Sequence, residues 1–257
     1  MPESSALQGR CVLVTRPAHQ AQTLVQGLRA AGAEALLLPL LEIRPLADTQ
    51  PLAALGARLA DYSLVFFVSS NAVQHALQVL PRALWPAQLR IATVGPGSAQ
   101  ALREAGFDQV LLPERDFDSE GVLAMPAFQA AALAGRRVLI LRGNGGRELL
   151  ASTLRARGVE VDVVSCYQRL PAVLDVQPVL QRFAAGQLDA ISLTSSEGAA
   201  HFVAQLGEAA PQLLASLPCF VPHPRIAAKM TELGARTVRL CEAGDAALIS
   251  ALHDYFG

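Results

Sequence analysis

Six short stretches gather most of the residues that could do chemistry: TRPA (15–18), SSNA (69–72), GPGS (95–98), RGNGG (142–146), TSSEG (194–198) and PHPR (222–225). Each is small, polar or glycine-rich, follows an apolar run and leads into a helical pattern. A helix start there offers unpaired N–H groups and the positive end of a dipole, which suit a carboxylate or a phosphate. The candidate binding residues are Arg16, Ser69, Ser70, Asn71, Gly95, Gly97, Ser98, Arg142, Gly143, Asn144, Ser195, Ser196, Glu197, His223 and Arg225. The serines serve equally well as helix N-caps, and Gly95 and Gly97 as a tight turn. Arg16 and Arg142 fall at matching places after two apolar runs, which favours an anion-facing role for both. Outside these turns stands Tyr167, one of three tyrosines, in VVSCYQRLP (163–171), where an apolar strand runs towards a proline. With a pKa near 10 a phenol stays protonated at neutral pH, so Tyr167 is either a catalytic hydrogen-bond donor or an amphipathic ring packed at a domain edge.

Several chemistries lack their parts. RGNGGRELL has neither the G-K-[ST] ending of a phosphate loop nor the G-x-G-x-x-G spacing of a dinucleotide fold. His19, His75, His201, His223 and His253 show no metal-ligand spacing, and no metal site is expected; His75 and His201 read as packing or surface residues of helices. No G-x-S-x-G elbow is present. Cys11, Cys166, Cys219 and Cys241 stand singly in apolar runs and read as reduced, buried thiols. Lys229 is the sole lysine, a poor basis for Schiff-base chemistry. With a net charge of −1 and arginines scattered along the chain, nucleic acid is not the expected partner. No uncharged apolar run is long enough to span a membrane, and MPESSALQGR has neither the basic start nor the apolar run of a secretory leader, so a cytoplasmic protein is expected.

The elements that would position these residues come in two matched sets. GRCVLVTR (9–16) and GRRVLILR (135–142) lie 126 residues apart, and the offset carries Leu24 onto Leu150, Gly32 onto Gly158, Pro45 onto Pro171, Ser69 and Ser70 onto Ser195 and Ser196, and His75 onto His201. This reads as an internal duplication at domain scale. Apolar runs predict strands at 11–15, 34–38, 63–68, 90–94 and 109–112, then at 137–141, 159–164, 189–194, 218–221 and 237–240. Helical patterns fit at 18–31, 71–80, 97–105, 146–157, 197–206, 224–233 and 245–256. Strands apolar on both faces with helical crossovers predict an α/β fold: two flavodoxin-like, doubly wound parallel-sheet domains. PLLEIRPL (39–46) and SCYQRLP (165–171) are too long for simple crossovers and could pair as a two-stranded linker. The chain would then be interleaved; two tandem domains divided near residue 130 are the alternative, and the pattern alone leaves both open.

The motifs VLVTRP, VSSNAV, IATVGPGSAQAL, VLILRGNGGRELL and the Y-Q of SCYQRLP, in this order along essentially the whole chain, resemble uroporphyrinogen-III synthase. The resemblance implies an interleaved arrangement: domain one from 1–39 plus 172–257, domain two from 46–164, and linkers 40–45 and 165–171. It also implies a cofactor-free, cyclising lyase of tetrapyrrole biosynthesis. Hydroxymethylbilane, possibly handed over by hydroxymethylbilane synthase, would lose water and close with its last ring inverted. Tyr167 matches the tyrosine that assists departure of the hydroxyl; Ser69, Ser70 and Asn71 match a turn lining the cleft; Ser98 matches a hydroxyl residue of a G-x-x-[ST] turn. A turn that usually reads like G-P-T-T is His223-Pro224-Arg225-Ile226 here, with both hydroxyls gone. A monomer is expected. The alternative is a two-lobed binding or sensor protein for an anionic small molecule, which would share the architecture and dispense with Tyr167.

Overall fold

The computed structural model describes residues 6–257; residues 1–5, part of the stretch read above for a leader, lie outside it. Eleven strands follow in chain order: β1 (Cys11–Val14), β2 (Glu34–Leu37), β3 (Leu41–Pro45), β4 (Leu64–Phe67), β5 (Arg90–Thr93), β6 (Val110–Leu111), β7 (Arg137–Gly143), β8 (Glu160–Pro171), β9 (Ala190–Ser192), β10 (Cys219–Val221) and β11 (Val238–Leu240). They form two sheets, ordered β2-β1-β9-β10-β11 and β3-β8-β7-β4-β5-β6. All the pairings within β2-β1-β9-β10-β11 and within β8-β7-β4-β5-β6 are parallel. The chain divides into two compact units, one of residues up to Glu42 together with Leu170–Gly257, the other Ile43–Arg169.

The first sheet has the doubly wound order 2-1-3-4-5 and takes its strands from both ends of the chain; the second, β3 aside, draws on the continuous run β4–β8 in the order 5-4-1-2-3, the same arrangement circularly permuted. The first sheet pairs β1 and β2 with β9, β10 and β11; the second pairs β7 and β8 with β4, β5 and β6. The order reverses between β1 and β9 in one unit and between β7 and β4 in the other, and these are the places where a doubly wound sheet opens a crevice at its carboxyl edge.

Apolar residues on both faces explain why these strands lie inside. In β4, Val65 and Phe67 enter one cluster and Leu64 and Phe66 the other. In β7, Leu139 and Leu141 face one side and Val138 and Ile140 the other. In β1, Leu13 faces away from Val12 and Val14. Helices must cover both faces of such strands.

All ten predicted strands are present, with differences that have local causes. The helix predicted from 146 starts at Leu149, because Gly145 (φ 71°) and Gly146 (φ 111°) hold left-handed backbone that a right-handed helix cannot include. The apolar run 159–164 and SCYQRLP are one twelve-residue strand, β8. Ser119–Ala124, Gln177–Ala184 and Ala210–Ser216 are helical although their short, proline-containing or polar patterns do not mark them as helices.

Candidate functional site at the carboxyl edge of the second sheet

The site begins with a fault in strand pairing. β7 and β8 run in register from Arg137 opposite Glu160 to Arg142 opposite Ser165; then Gly143 lies opposite Tyr167, and Cys166 is skipped. Strict alternation would send Cys166 and Tyr167 to opposite faces. The bulge turns both into the cluster that holds Phe67, Leu139 and Leu141. Cys166 fills it, its thiol 3.3 Å from the carbonyl of Arg142 and 3.6 Å from that of Ala72. Burial pushes this thiol up to about 12, so it is packing rather than a nucleophile.

Tyr167 is thereby laid on the backbone of Gly143. A Cβ at residue 143 would lie 2.7 Å from Cε2 and 2.8 Å from Cζ of the ring, so only glycine fits beneath it. The His75 ring stacks on the phenol, with centroids 5.7 Å apart and planes 25° from parallel. The phenolic oxygen is 3.1 Å from Ser69 Oγ, which also caps the helix Ser70–Val79 by accepting from the N–H of Ala72 at 3.2 Å. Tyr167 is 4% exposed, yet it lines a cavity of about 210 Å³ with Val94, Ser119, Arg142, Gly143 and Arg169 among its other walls. The cavity opens at the β7–β4 reversal, where the sheet order places a ligand. It is smaller than the roughly 300 Å³ of the smallest pockets for drug-sized ligands. A larger cavity of about 430 Å³, lined by Arg82, Arg90, Phe107 and Asp108, lies at the amino ends of β5 and β6. That is the edge opposite the one where a doubly wound sheet binds ligands, so the smaller cavity is the better candidate.

The arginines around the smaller cavity are already engaged by protein groups. Arg142 donates to Glu148 at 2.6 Å and to the carbonyl of Arg147, closing its own loop. Arg147 makes a two-pronged pair with Glu120, at 2.6 and 2.8 Å. Asn144 clamps the glycine-rich loop to β8: its N–H donates to the carbonyl of Tyr167, and its side chain meets both the N–H and the carbonyl of Arg169.

The structure places the remaining sequence-derived residues as follows. Ser70 and Asn71 open the helix that Ser69 caps, with Asn71 8% exposed. Gly95 ends the turn after β5 as the N-cap of the helix Pro96–Glu104, Gly97 lies in that helix's first turn rather than in the turn expected for it, and Ser98 is buried beside it. These all share the carboxyl edge with Tyr167. Arg16, Ser195, Ser196, Glu197, His223 and Arg225 lie at the carboxyl edge of the other unit's sheet. There Arg16 pairs with Asp245, and Ser195 caps its helix by accepting from the N–H of Gly198 at 3.2 Å. His223 does a serine's work: its Nδ1 accepts from the N–H of Arg225 at 3.1 Å, capping the helix Pro224–Glu232. His75, Ser119, Arg147 and Arg169 belong to the site and are not among the residues the sequence picks out for it. Only His75 leaves a usable trace, since the repeat matches it with His201, whose Nε2 meets the carbonyl of Ala172 at 3.0 Å.

A parallel sheet with capped, glycine-rich turns along its carboxyl edge and a buried, hydrogen-bonded phenol at the reversal of strand order defines a doubly wound α/β protein with a candidate ligand site at that edge. The family model for uroporphyrinogen-III synthase HemD matches residues 22–249. A uroporphyrinogen-III synthase of Escherichia coli is 35% identical over 249 residues, covering 94% of this chain and 99% of the relative. Its Salmonella typhimurium counterpart is 36% identical over 250 residues, with the same coverage. Among solved structures, a mutant uroporphyrinogen III synthase of Thermus thermophilus superposes with a TM-score of 0.62 at 17% identity, covering 96% of this chain and 97% of that one. That of Helicobacter pylori gives 0.60 at 15% identity, covering 96% and 99%. The chain belongs to the uroporphyrinogen-III synthase family, whose place is in tetrapyrrole biosynthesis.

Proposed function

We propose that the chain converts hydroxymethylbilane into uroporphyrinogen III, with Tyr167 assisting departure of the hydroxyl group and the capped turns holding the carboxylates. The observation that supports this most is the placement of the phenol. A bulge, a glycine and a stacked histidine fix Tyr167 where the strand order reverses, against a cavity that can take one ring of a larger molecule.

The Ser69–Tyr167 bond gives the phenol its direction. Ser69 Oγ has two lone pairs and one hydrogen, and the N–H of Ala72 occupies one lone pair. When the serine donates its hydrogen to the phenolic oxygen, the phenol's own hydrogen is left for the departing hydroxyl. Negative charge that then develops on the phenol is met by the same serine. The bilane carries acetate and propionate groups on each pyrrole, so it is a flexible polyanion. Backbone N–H groups at helix starts can hold such a chain without a strongly basic protein. Loss of hydroxide is helped by the electron-rich pyrrole, which leaves orientation for closure with the last ring turned as the larger task.

Purified protein incubated with enzymatically generated hydroxymethylbilane, with products separated by chromatography after oxidation, tests the reading. Type III product formed in proportion to enzyme is expected. Only the type I product, which arises spontaneously, would overturn it.

A further inference from the structure

The loop ERDFDSEG (114–121) spends backbone strain to hold an aromatic ring outward. Asp116 has φ 44°, the one non-glycine residue with positive φ among the described residues. A Cβ at Gly121 would lie 1.9 Å from the Asp116 carbonyl oxygen, so the chain there can close only on glycine. The N–H of Asp118 donates to that same carbonyl at 2.6 Å, and the Asp118 side chain caps the helix Ser119–Ala124 by accepting from the N–H of Gly121 at 2.9 Å. Glu120 on this helix grips Arg147 in the glycine-rich loop. While these bonds tie the loop down, the Phe117 side chain is left 42% exposed. Its Cβ and Cγ lie 3.4 and 3.6 Å from where a Gly95 Cβ would stand, so the side chain rests on the turn after β5.

A strained residue, an obligatory glycine and a half-exposed aromatic ring coincide beside the cavity: Val94 adjoins Gly95, Ser119 follows Phe117 by two residues, and both Val94 and Ser119 line it. Strain kept at such a place has a use in holding a contact surface ready. Resting on the proposed function, the geometry points to Phe117 as a preformed shelf for one pyrrole ring of the tetrapyrrole. A pyrrole is an electron-rich flat ring with a positive N–H edge, and an exposed phenyl face and edge meet it in the offset or edge-on arrangements that aromatic rings favour. The cavity beside Tyr167 then takes one ring, and the shelf steadies another.

Three variants decide it, each checked for folding by its melting temperature. Phe117→Ala is expected to raise KM about tenfold with kcat changed less than twofold, and to weaken anaerobic binding of uroporphyrinogen III by the same factor. Phe117→Leu, apolar without a flat ring, should recover only part of that loss. Phe117→Trp should bind at least as tightly as the native protein and report the contact, its fluorescence changing on addition of uroporphyrinogen III beyond any change from Trp85 in the native protein. Binding by Phe117→Ala within twofold of native overturns the shelf while type III synthesis by the native protein still stands. So does a silent indole in the Phe117→Trp variant when calorimetry shows that this variant binds. Type I product alone from the native protein overturns the proposed function, and the shelf with it.

Discussion

Gly143→Ala tests the placement of the phenol without touching the phenol. The backbone at 143 is not left-handed, so alanine adds a methyl group and no torsional conflict. That methyl would lie 2.7 Å from Cε2 and 2.8 Å from Cζ of Tyr167, whereas carbon atoms rest about 3.5–4.0 Å apart. The ring therefore has to retreat by roughly 1 Å. It is 4% exposed and has His75 stacked on it, so the retreat strains a packed region, at about 1–3 kcal/mol. A shift of this size is expected to carry the phenolic oxygen from 3.1 Å out of hydrogen-bond range of Ser69. For a catalytic group, a misplacement of about 1 Å costs on the order of a hundredfold in rate. Single-turnover formation of type III product gives the rate, and thermal melting gives the stability. The same substitution in a Tyr167→Phe background separates the two roles: there Gly143→Ala should still lower the melting temperature but slow turnover little further. A Gly143→Ala protein that melts lower yet turns over at the native rate would show that the position of the ring does not matter to the chemistry.

Tyr167→Phe should slow turnover about a hundredfold, in the lower range for loss of an acid catalyst, while product binding measured by calorimetry stays within a few-fold. Ser69→Ala removes both the helix cap and the phenol's partner, so a loss of about 1 kcal/mol in urea denaturation should accompany a roughly tenfold slower rate; Ser69→Thr should keep most of both. Tyr62 is pushed up to about 12 by burial and by its 2.6 Å hydrogen bond to Asp162. The unfolded chain loses this proton near pH 10, so the contribution is full below pH 10 and fades as the pH rises towards 12. The gap between native and Tyr62→Phe urea midpoints should close across that window, and a gap independent of pH would refute the linkage.

The fold was legible because its strands announce themselves. CVLV, LVFF and RVLIL are apolar on both faces, and that pattern leads to a covered parallel sheet whichever way the domains are cut. The serine caps were legible for the same local reason: Ser69 and Ser195 each stand at a strand's end before a helical pattern, and each accepts a hydrogen bond three residues on. The exchange of strands between sheets was not legible, since periodicity says which residues are buried and nothing of which strand lies beside which. The bulge at Cys166 was hidden because skipping one residue leaves an apolar run looking continuous. The Phe117 loop was hidden for another reason. A positive φ at an aspartate and a closed approach at Gly121 are consequences of packing, and the letters D-F-D-S-E-G read as an ordinary polar turn.

The chain supplies an internal comparison that ties the glycine to the phenol. Under the 126-residue offset, Pro17 stands where Gly143 does, and Leu41 where Tyr167 does. At the carboxyl end of β1 no tyrosine has to lie flat on the backbone, and residue 17 is free to be proline, which leads into the helix Ala18–Ala30. Thr15 donates to the carbonyl of Ser192 at 2.7 Å and bridges β1 to β9, while Arg16 pairs with Asp245. At the end of β7 both members of the pair change together: a ring replaces the leucine, and the residue beneath it loses its Cβ. Of the two sheet edges, the second is therefore the one shaped around a hydrogen-bond donor.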